Sequence, residues 1–244
     1  MKIISWNVNG LSAISKKINF QNFVTNENPD ILCLQEIKCT KEQCAIDGYN
    51  AYWSFSTKKG YSGTVIFSKY PAVSILHPNI DNEGRITAIE LETCIIVSVY
   101  VPNSQRNLEK LGYRLEWDTK FREWLSSISK ETKNTIICGD FNVSQTELDI
   151  AEPKKHTRHP GFTNTERLSF AKLLENFVDA YRSKYPDSKA FTFWSYLGSN
   201  FLKDIGYRCD LFLVDKRFFG DICDVSIMKN IRASDHCPIV LVTK

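Results

Sequence analysis

The stretch Thr135–Asn142, TIICGDFN, decides how this chain is read: a short β-branched apolar run passes through Gly139 and ends on Asp140 and Asn142. Such a run is the signature of a buried strand, and the polar groups mark where it reaches water. The same order recurs in Lys2–Trp6 (KIISW), which leads into Asn7 and Asn9, and in Asp30–Leu34 (DILCL), which leads into Gln35 and Glu36. Two runs are reversed: Asp210 precedes LFLV (Leu211–Val214), and Asp235 with His236 precedes PIVLV (Pro238–Val242). If all these groups meet at one rim, some strands rise to it and others leave it. That excludes a purely parallel sheet and predicts mixed sheets with antiparallel pairs.

Helical patterns lie between the strands. Asn107–Lys130 carries Leu108, Leu111, Leu115, Phe121, Trp124, Leu125 and Ile128 at three- and four-residue spacings, which predicts an amphipathic helix. Phe170, Leu173, Leu174, Phe177, Val178 and Tyr181 repeat the pattern behind a capping box of Thr163 and Glu166, and Ser15–Asn26 offers a third helix with Ile18 and Phe23 on one side. The mixture predicts an α/β fold with helices covering sheets. No linker, low-complexity run or repeat divides the chain, so one domain over residues 1–244 is expected.

Hydrophobic content of 43% and charged content of 24% are ordinary for a globular protein, and no apolar stretch approaches the ~20 residues of a membrane span. A net charge of +3 permits a polyanionic partner without demanding one. Of the eight cysteines, Cys33, Cys94 and Cys138 sit inside apolar runs, where a reduced thiol behaves as a small hydrophobe. With no secretory leader at Met1–Gly10, the expectation is free thiols in a reducing compartment, the cytoplasm of a prokaryote or the nucleus of a eukaryote. Cys39 and Cys44 have no second pair at zinc-ligand spacing.

Glu36, Asp140, Asp210 and Asp235, with Asn7, Asn9 and Asn142, form an oxygen-rich set suited to a hard cation such as Mg²⁺. One acid at a strand end is ordinarily a turn or cap residue; five such ends together, with His236 among them, suit chemistry on a phosphate.

The resemblance is more specific than the composition. SWNVNGL (Ser5–Leu11), LQEIK (Leu34–Lys38), GYSG (Gly60–Gly63), YVPN (Tyr100–Asn103), GDFNV (Gly139–Val143), TFWSY (Thr192–Tyr196), GYRCD (Gly206–Asp210) and SDHCP (Ser234–Pro238) resemble, in order, the motifs of the exonuclease III-type apurinic/apyrimidinic (AP) endonucleases, within the endonuclease/exonuclease/phosphatase superfamily. YRLEW (Tyr113–Trp117), ELDIAEPK (Glu147–Lys154) and GFTNTER (Gly161–Arg167) favour that branch over the inositol and sphingolipid phosphatases. The resemblance implies a four-layered α/β sandwich of two mixed β-sheets flanked by helices. It also implies Mg²⁺ dependence with Mn²⁺ as a substitute, and a substrate of duplex DNA with abasic sites. A monomer with no membrane association is expected.

Carried over by position, Glu36 would be the principal metal ligand, aided by Asn9 or Asp235. His236, held by Asp210, would polarise the scissile phosphate. Asp140, beside Asn142, would position or deprotonate the attacking water, with Asn7 and Tyr100 completing the phosphate cage. The resemblance implies cleavage 5′ to the abasic sugar, leaving a 3′-hydroxyl, and admits 3′-exonuclease and 3′-phosphatase side activities. Phe193, Leu197 and Tyr207 match positions lining a pocket for a flipped, base-less sugar, whereas Phe191 and Trp194 read better as core. Arg106 matches a residue that inserts opposite the lesion, and Lys38, Tyr61, Lys110 and Arg114 match backbone-contact positions. The loop Lys154–His159 (KKHTRH) reads as a phosphate contact or a solvated surface rather than a metal site.

Three departures bear on the pocket and the DNA contacts. Ser12 stands where many relatives have a basic residue, Tyr207 where Trp is common, and Leu211 where Tyr is common. Two rival readings stay open: a phosphatase acting on a small-molecule or lipid ester, and a non-catalytic DNA-binding module.

Overall fold

The β-branched runs form strands, and in the computed structural model they assemble into two six-stranded sheets. The structure describes residues 1–42, 44–129, 132–196 and 199–244. In chain order the elements begin with β1 (Lys2–Asn7), α1 (Leu11–Lys17), α2 (Phe20–Glu27), β2 (Ile31–Gln35), β3 (Asn50–Ser54) and β4 (Thr64–Ser68). Next come β5 (Ser74–Leu76), β6 (Ile86–Glu90), β7 (Cys94–Tyr100), α3 (Leu111–Ile128) and β8 (Asn134–Asp140). After α4 (Pro153–His156) and α5 (Asn164–Ala171) come β9 (Phe177–Asp179), α6 (Ala180–Lys184), β10 (Asp210–Asp215), β11 (Ile222–Ile227) and β12 (Ile239–Thr243).

The first sheet has the order β11-β12-β1-β2-β4-β3 and the second β5-β6-β7-β8-β10-β9. Each is mixed. One parallel pair, β1 with β2 or β7 with β8, lies among antiparallel neighbours. The two-residue alternation of the strands sorts side chains into layers. Ile3, Ile31, Cys33, Ile66, Ile96, Ile136, Cys138 and Phe212 fill the space between the sheets. Ile4, Trp6, Leu32 and Leu34 face outward onto Ile14, Phe20 and Phe23 of α1 and α2. On the far side Val97, Val99, Ile137 and Leu213 face Trp117, Phe121 and Leu125 of α3 and Phe170 of α5. Helix, sheet, sheet and helix are therefore the four layers of an α/β sandwich. Burying each of these large apolar side chains contributes about 1.5–3 kcal/mol.

The register gathers the polar ends at one rim. Asn7 pairs with Gln35 at the C-terminal ends of β1 and β2, and Tyr100 pairs with Asp140 at those of β7 and β8. Asp210 opens β10 antiparallel to β8 and also pairs with Asp140, while β12, antiparallel to β1, begins beside Asp235 and His236.

Three helical expectations change. The segment Ser15–Asn26 is two helices, because Ile18 is extended and Asn19 restarts the chain by accepting the Asn22 N–H at 3.0 Å. The stretch Asn107–Lys130 is helical only over Leu111–Ile128, preceded by a tight 3₁₀ turn at Arg106–Leu108; Lys130 lies outside the described residues. The capping box of Thr163 and Glu166 does start α5, but the helix stops at Ala171. Phe177 and Val178, whose spacing mimicked a helix, form the edge strand β9 and pair with Asp215 and Val214. Tertiary pairing overrides the local period there. Among the described residues no helix is long and apolar enough to cross a membrane.

Candidate active site

Each sheet supplies half of the rim, and Asn7 stitches the halves together. Its side-chain amide, buried on β1, donates to Glu36 Oε1 at 2.9 Å and to Asp140 Oδ2 at 3.0 Å across the sheet interface. Asn142 returns to Asp140 through its backbone N–H at 2.8 Å, and its amide donates to Val101 O at 2.9 Å. Asn9 donates to both carboxylate oxygens of Asp235 at 3.0 and 3.1 Å. Lys38 bridges this group, pairing with Glu36 at 2.9 Å and donating to Asn9 Oδ1.

The backbone bends sharply to aim these groups. Asn9, Glu36, Lys38 and Asn142 all have positive φ, between 48° and 55°. Asn tolerates that region; Glu and Lys adopt it at a cost that surrounding contacts must cover. Gly139 is required next to Asp140, since a Cβ there would lie 1.9 Å from Val99 O and force β7 and β8 apart.

His236 is held from one side. Its Nδ1 lies 2.8 Å from Asp210 Oδ2, which places a proton on Nδ1, and its Nε2 lies 3.8 Å from Asp140 Oδ2. Burial opposes charging the ring, yet the carboxylates of Asp210, Asp140 and Asp235 overcome it and raise His236 to about 10. Burial also raises Asp140, to about 7; Asp210 and Glu36 add to the shift against the opposing pull of His236 and the Asn142 N–H. Tyr100 is pushed well above the ordinary phenol range by burial and by Glu36 and Asp140, so its hydroxyl stays a donor. Glu36 goes the other way: burial is outweighed by Lys38 and the Asn7 amide, and the carboxyl sits below its usual value. Among the described residues, buried Asp210 Oδ1 has no hydrogen-bond partner.

Glu36, Asp140 and His236 place ligand atoms within 4.8 Å of one another, a grouping that could hold a metal ion. Cys209, Asp210 and His236 form a second such grouping, but burial and the neighbouring Asp140 and Asp210 hold the Cys209 thiol protonated, and a thiol is a poor ligand. With His236 charged, the ligand atoms of the first set are the carboxylate oxygens of Glu36 and Asp140, and oxygen donors fit a hard divalent cation. Asn9 and Asp235, expected beside Glu36, hydrogen-bond to one another one step out from that grouping.

The loops around the rim carry the other expected residues. The half-buried Phe193 ring lies 4.7 Å from the His236 ring and 6.0 Å from that of Tyr207. Leu197 falls outside the described residues. Phe191 and Trp194 are core, each 4% exposed. Arg106 and Ser12 are exposed, and Lys110 is half-buried before α3. The Tyr61 hydroxyl accepts from Arg85 at 2.8 Å.

Arg114 corrects a sequence expectation. It is 1% exposed, pairs with Asp118 at 2.8 Å and donates to the carbonyls of Pro102, Phe141 and Asn142. With its donors committed inside the protein, it ties down the loops carrying Asn103 and Asn142 and has no surface to offer a DNA backbone. Leu211, one of the departures, is core as well.

Other contributors were not visible in the sequence. The Thr192 hydroxyl accepts from the backbone N–H groups of Cys209 and Asp210, fixing the start of β10. Arg208, 1% exposed, pairs with Asp149 at 2.7 Å and Asp179 at 2.6 Å. Arg85 lies under the Tyr100 ring at 4.7 Å. His156 reaches the Tyr207 hydroxyl at 2.9 Å. An Arg or His within a polar motif carries no local sign of its partner, so only the Arg208 position inside GYRCD was a usable hint.

Two mixed sheets stacked face to face, with acids from both drawn around one histidine at a shared rim, are the build of a phosphoester hydrolase. The chain belongs to the endonuclease/exonuclease/phosphatase family, whose model matches residues 4–236. It is 39% identical to an exodeoxyribonuclease of Bacillus subtilis (strain 168) over 250 residues, covering 99% of each chain. It is 40% identical over 254 residues to the DNA repair nuclease APEX1 of Danio rerio, covering 99% of this chain and 81% of that protein. Among solved structures it is similar to the AP endonuclease LMAP of Leishmania major, with a TM-score of 0.88 and 29% identity over 100% of this chain and 87% of that one.

Proposed function

We propose that this chain is a Mg²⁺-dependent AP endonuclease of DNA repair, hydrolysing the phosphodiester 5′ to an abasic site in duplex DNA and leaving a 3′-hydroxyl. The observation that carries the reading is the continuous ring contact from His236 through Phe193 to Tyr207, which sets an aromatic wall directly against the hydrolytic group. A wall in that place meets the sugar attached to the scissile phosphate, and a base-less nucleotide is the one extruded with least loss of stacking. The relatives named for exodeoxyribonuclease, DNA repair nuclease and AP endonuclease activity support the same substrate class.

In this reading His236, charged and oriented by Asp210, donates from Nε2 to a non-bridging phosphate oxygen. The Tyr100 hydroxyl and the Asn7 amide donate to the same group. Asp140, raised toward neutrality, orients the attacking water and takes its proton as the oxygen–phosphorus bond forms and the bond to the 3′-oxygen breaks. Glu36, supported by Asn9 and Asp235, would hold Mg²⁺, which would supply charge neutralisation at the phosphate and at the leaving 3′-oxygen; that oxygen takes a proton from water to become the 3′-hydroxyl. Lys38, Tyr61 and Lys110 are the DNA backbone contacts, and Arg106 inserts opposite the lesion. The enzyme acts as a monomer, and its eight unpaired cysteines suit a reducing compartment, bacterial cytoplasm or eukaryotic nucleus.

The test compares matched substrates: a duplex with one abasic analogue, the same duplex intact, a duplex with a terminal 3′-phosphate, and soluble inositol and sphingolipid phosphoesters. The expected result is preferential nicking immediately 5′ to the abasic analogue, lost in chelator and restored by Mg²⁺ or Mn²⁺. Preference for an inositol or lipid ester would replace this reading with the phosphatase one.

A further inference from the structure

Tyr207 has its backbone fixed and its ring in need of a support. Its N–H donates to Phe193 O at 3.0 Å, and its carbonyl accepts from Phe193 N at 2.9 Å and Thr192 N at 2.8 Å. Behind it, Gly206 has no room for a side chain, since a Cβ would lie 2.7 Å from Phe193 O. The main chain therefore cannot shift, and the remaining freedom is rotation of the phenol about its side-chain bonds. Tyr207 brings a hydroxyl to the rim, and a half-buried hydroxyl without a partner is costly.

His156, the last residue of α4, meets both needs. Its Nδ1 lies 2.9 Å from the Tyr207 hydroxyl, and the two rings meet edge-on with centroids 5.4 Å apart. His159 backs it, with ring centroids 4.9 Å apart and Nδ1 to Nδ1 at 2.9 Å. With its proton on Nε2, His156 offers a single Nδ1 lone pair that accepts from the Tyr207 O–H, and the exposed His159, beside the same nitrogen, can turn its own N–H to water. Burial and then His159 and Lys155 lower His156 against the pull of Glu152, which keeps this ring neutral. Burial, Cys209 and Glu152 raise Tyr207 to about 12, which keeps its hydroxyl a donor.

We infer that His156 is a positioning residue that holds the Tyr207 ring as a fixed wall of the sugar pocket, and so sets how strongly the enzyme discriminates against a nucleotide that carries its base. The inference rests on the abasic-site reading above. A tethered ring excludes a base by its position, whereas a free one swings aside and admits it.

The experiment uses His156→Ala, His156→Asn and Tyr207→Phe in the full chain. Asn places an acceptor oxygen near the former Nδ1; Ala does not. Single-turnover cleavage of the abasic and intact duplexes gives a discrimination ratio, and ¹⁹F NMR of 3-fluorotyrosine-labelled protein, with the Tyr207 signal assigned by its loss in Tyr207→Phe, reports the ring without DNA. His156→Ala should lower the ratio roughly 3- to 10-fold, the worth of one net hydrogen bond, and move or broaden the Tyr207 signal. His156→Asn should recover most of both. In the Tyr207→Phe background, which already lacks the hydroxyl, His156→Ala should add less than about 2-fold. Failure of Asn to rescue, effects that multiply with Tyr207→Phe, or an equal loss on a terminal 3′-phosphate would each overturn the inference. A wild type with no abasic preference overturns the functional reading together with this one. A wild type that prefers the abasic duplex, combined with an unmoved ratio in His156→Ala, overturns this inference alone.

Discussion

The strand ends and the loops beside them are built on different terms. At the strand ends Asn7, Asp140, Asp210 and His236 are buried, hydrogen-bonded across two sheets and fixed by register. In the loops the side chains of Phe193, Tyr207 and His156 are half-buried and held by ring contacts and by the hydrogen bond between His156 and Tyr207. The first arrangement suits chemistry, where a small displacement is expensive in rate, and the second suits selection, where shape can vary between relatives without touching the reaction. Changes at the strand ends should therefore lower turnover on every substrate, and changes in the loops should alter ratios between substrates.

The largest expected effect comes from the strut that serves both. Arg208 lies between Tyr207 and Cys209 and pairs with buried Asp149 and Asp179. Arg208→Ala leaves buried Asp179 without its cation and Asp149 with Arg182 alone, and breaking a buried pair costs about 3–5 kcal/mol. Urea unfolding should show that loss, and pocket and catalytic functions should fall together. The pH dependence has a definite sign. Burial raises Asp149, but Arg208 and Arg182 outweigh it, so its folded carboxyl lies below the usual value. Its contribution is fully present above the unfolded value of about 3.9 and is lost as pH falls through the lower folded one. Wild-type stability should drop in that acid window, and Asp149→Asn, already weakened at neutral pH, should lose less there. Equal acid losses in both would remove Asp149 from the account.

Next in size is His236→Asn, which should lower turnover at least ~10²-fold on the abasic duplex and on a terminal 3′-phosphate alike, with folding retained. A loss confined to one substrate would break the division between strand ends and loops. An unfolded variant would make His236 structural.

Much of this division could be read from the residues. KIISW, DILCL and TIIC announced strands ending on Asn7, Glu36 and Asp140, and the reversed order at Asp210 and Asp235 required antiparallel strands arriving at the same rim. The strand–carboxylate pattern is local, so it survives in one dimension. What did not survive depends on contacts distant in sequence. Phe177 and Val178 had helical spacing, but β10 needed an edge partner. Arg114 matches a backbone-contact position in the sequence, but Asp118 and the carbonyls of Pro102 and Phe141 enclose it. The positive φ at Glu36 and Lys38 has no glycine to advertise it. The H-x-x-H of Lys154–His159 reads as a phosphate contact or a solvated surface because the partner of His156, Tyr207, lies far along the chain.

The measurement that tests the central claim most directly is single-turnover cleavage of three duplexes, abasic, intact and 3′-phosphorylated, by Phe193→Ala combined with Tyr207→Ala. Removing the aromatic wall while leaving Glu36, Asp140 and His236 in place should reduce the abasic-to-intact ratio by about 10-fold or more, as expected when two aromatic contacts are lost, and reduce 3′-phosphate hydrolysis by much less. Equal losses on all three substrates, with the ratio unchanged, would contradict the assignment of selection to the loops and chemistry to the strand ends.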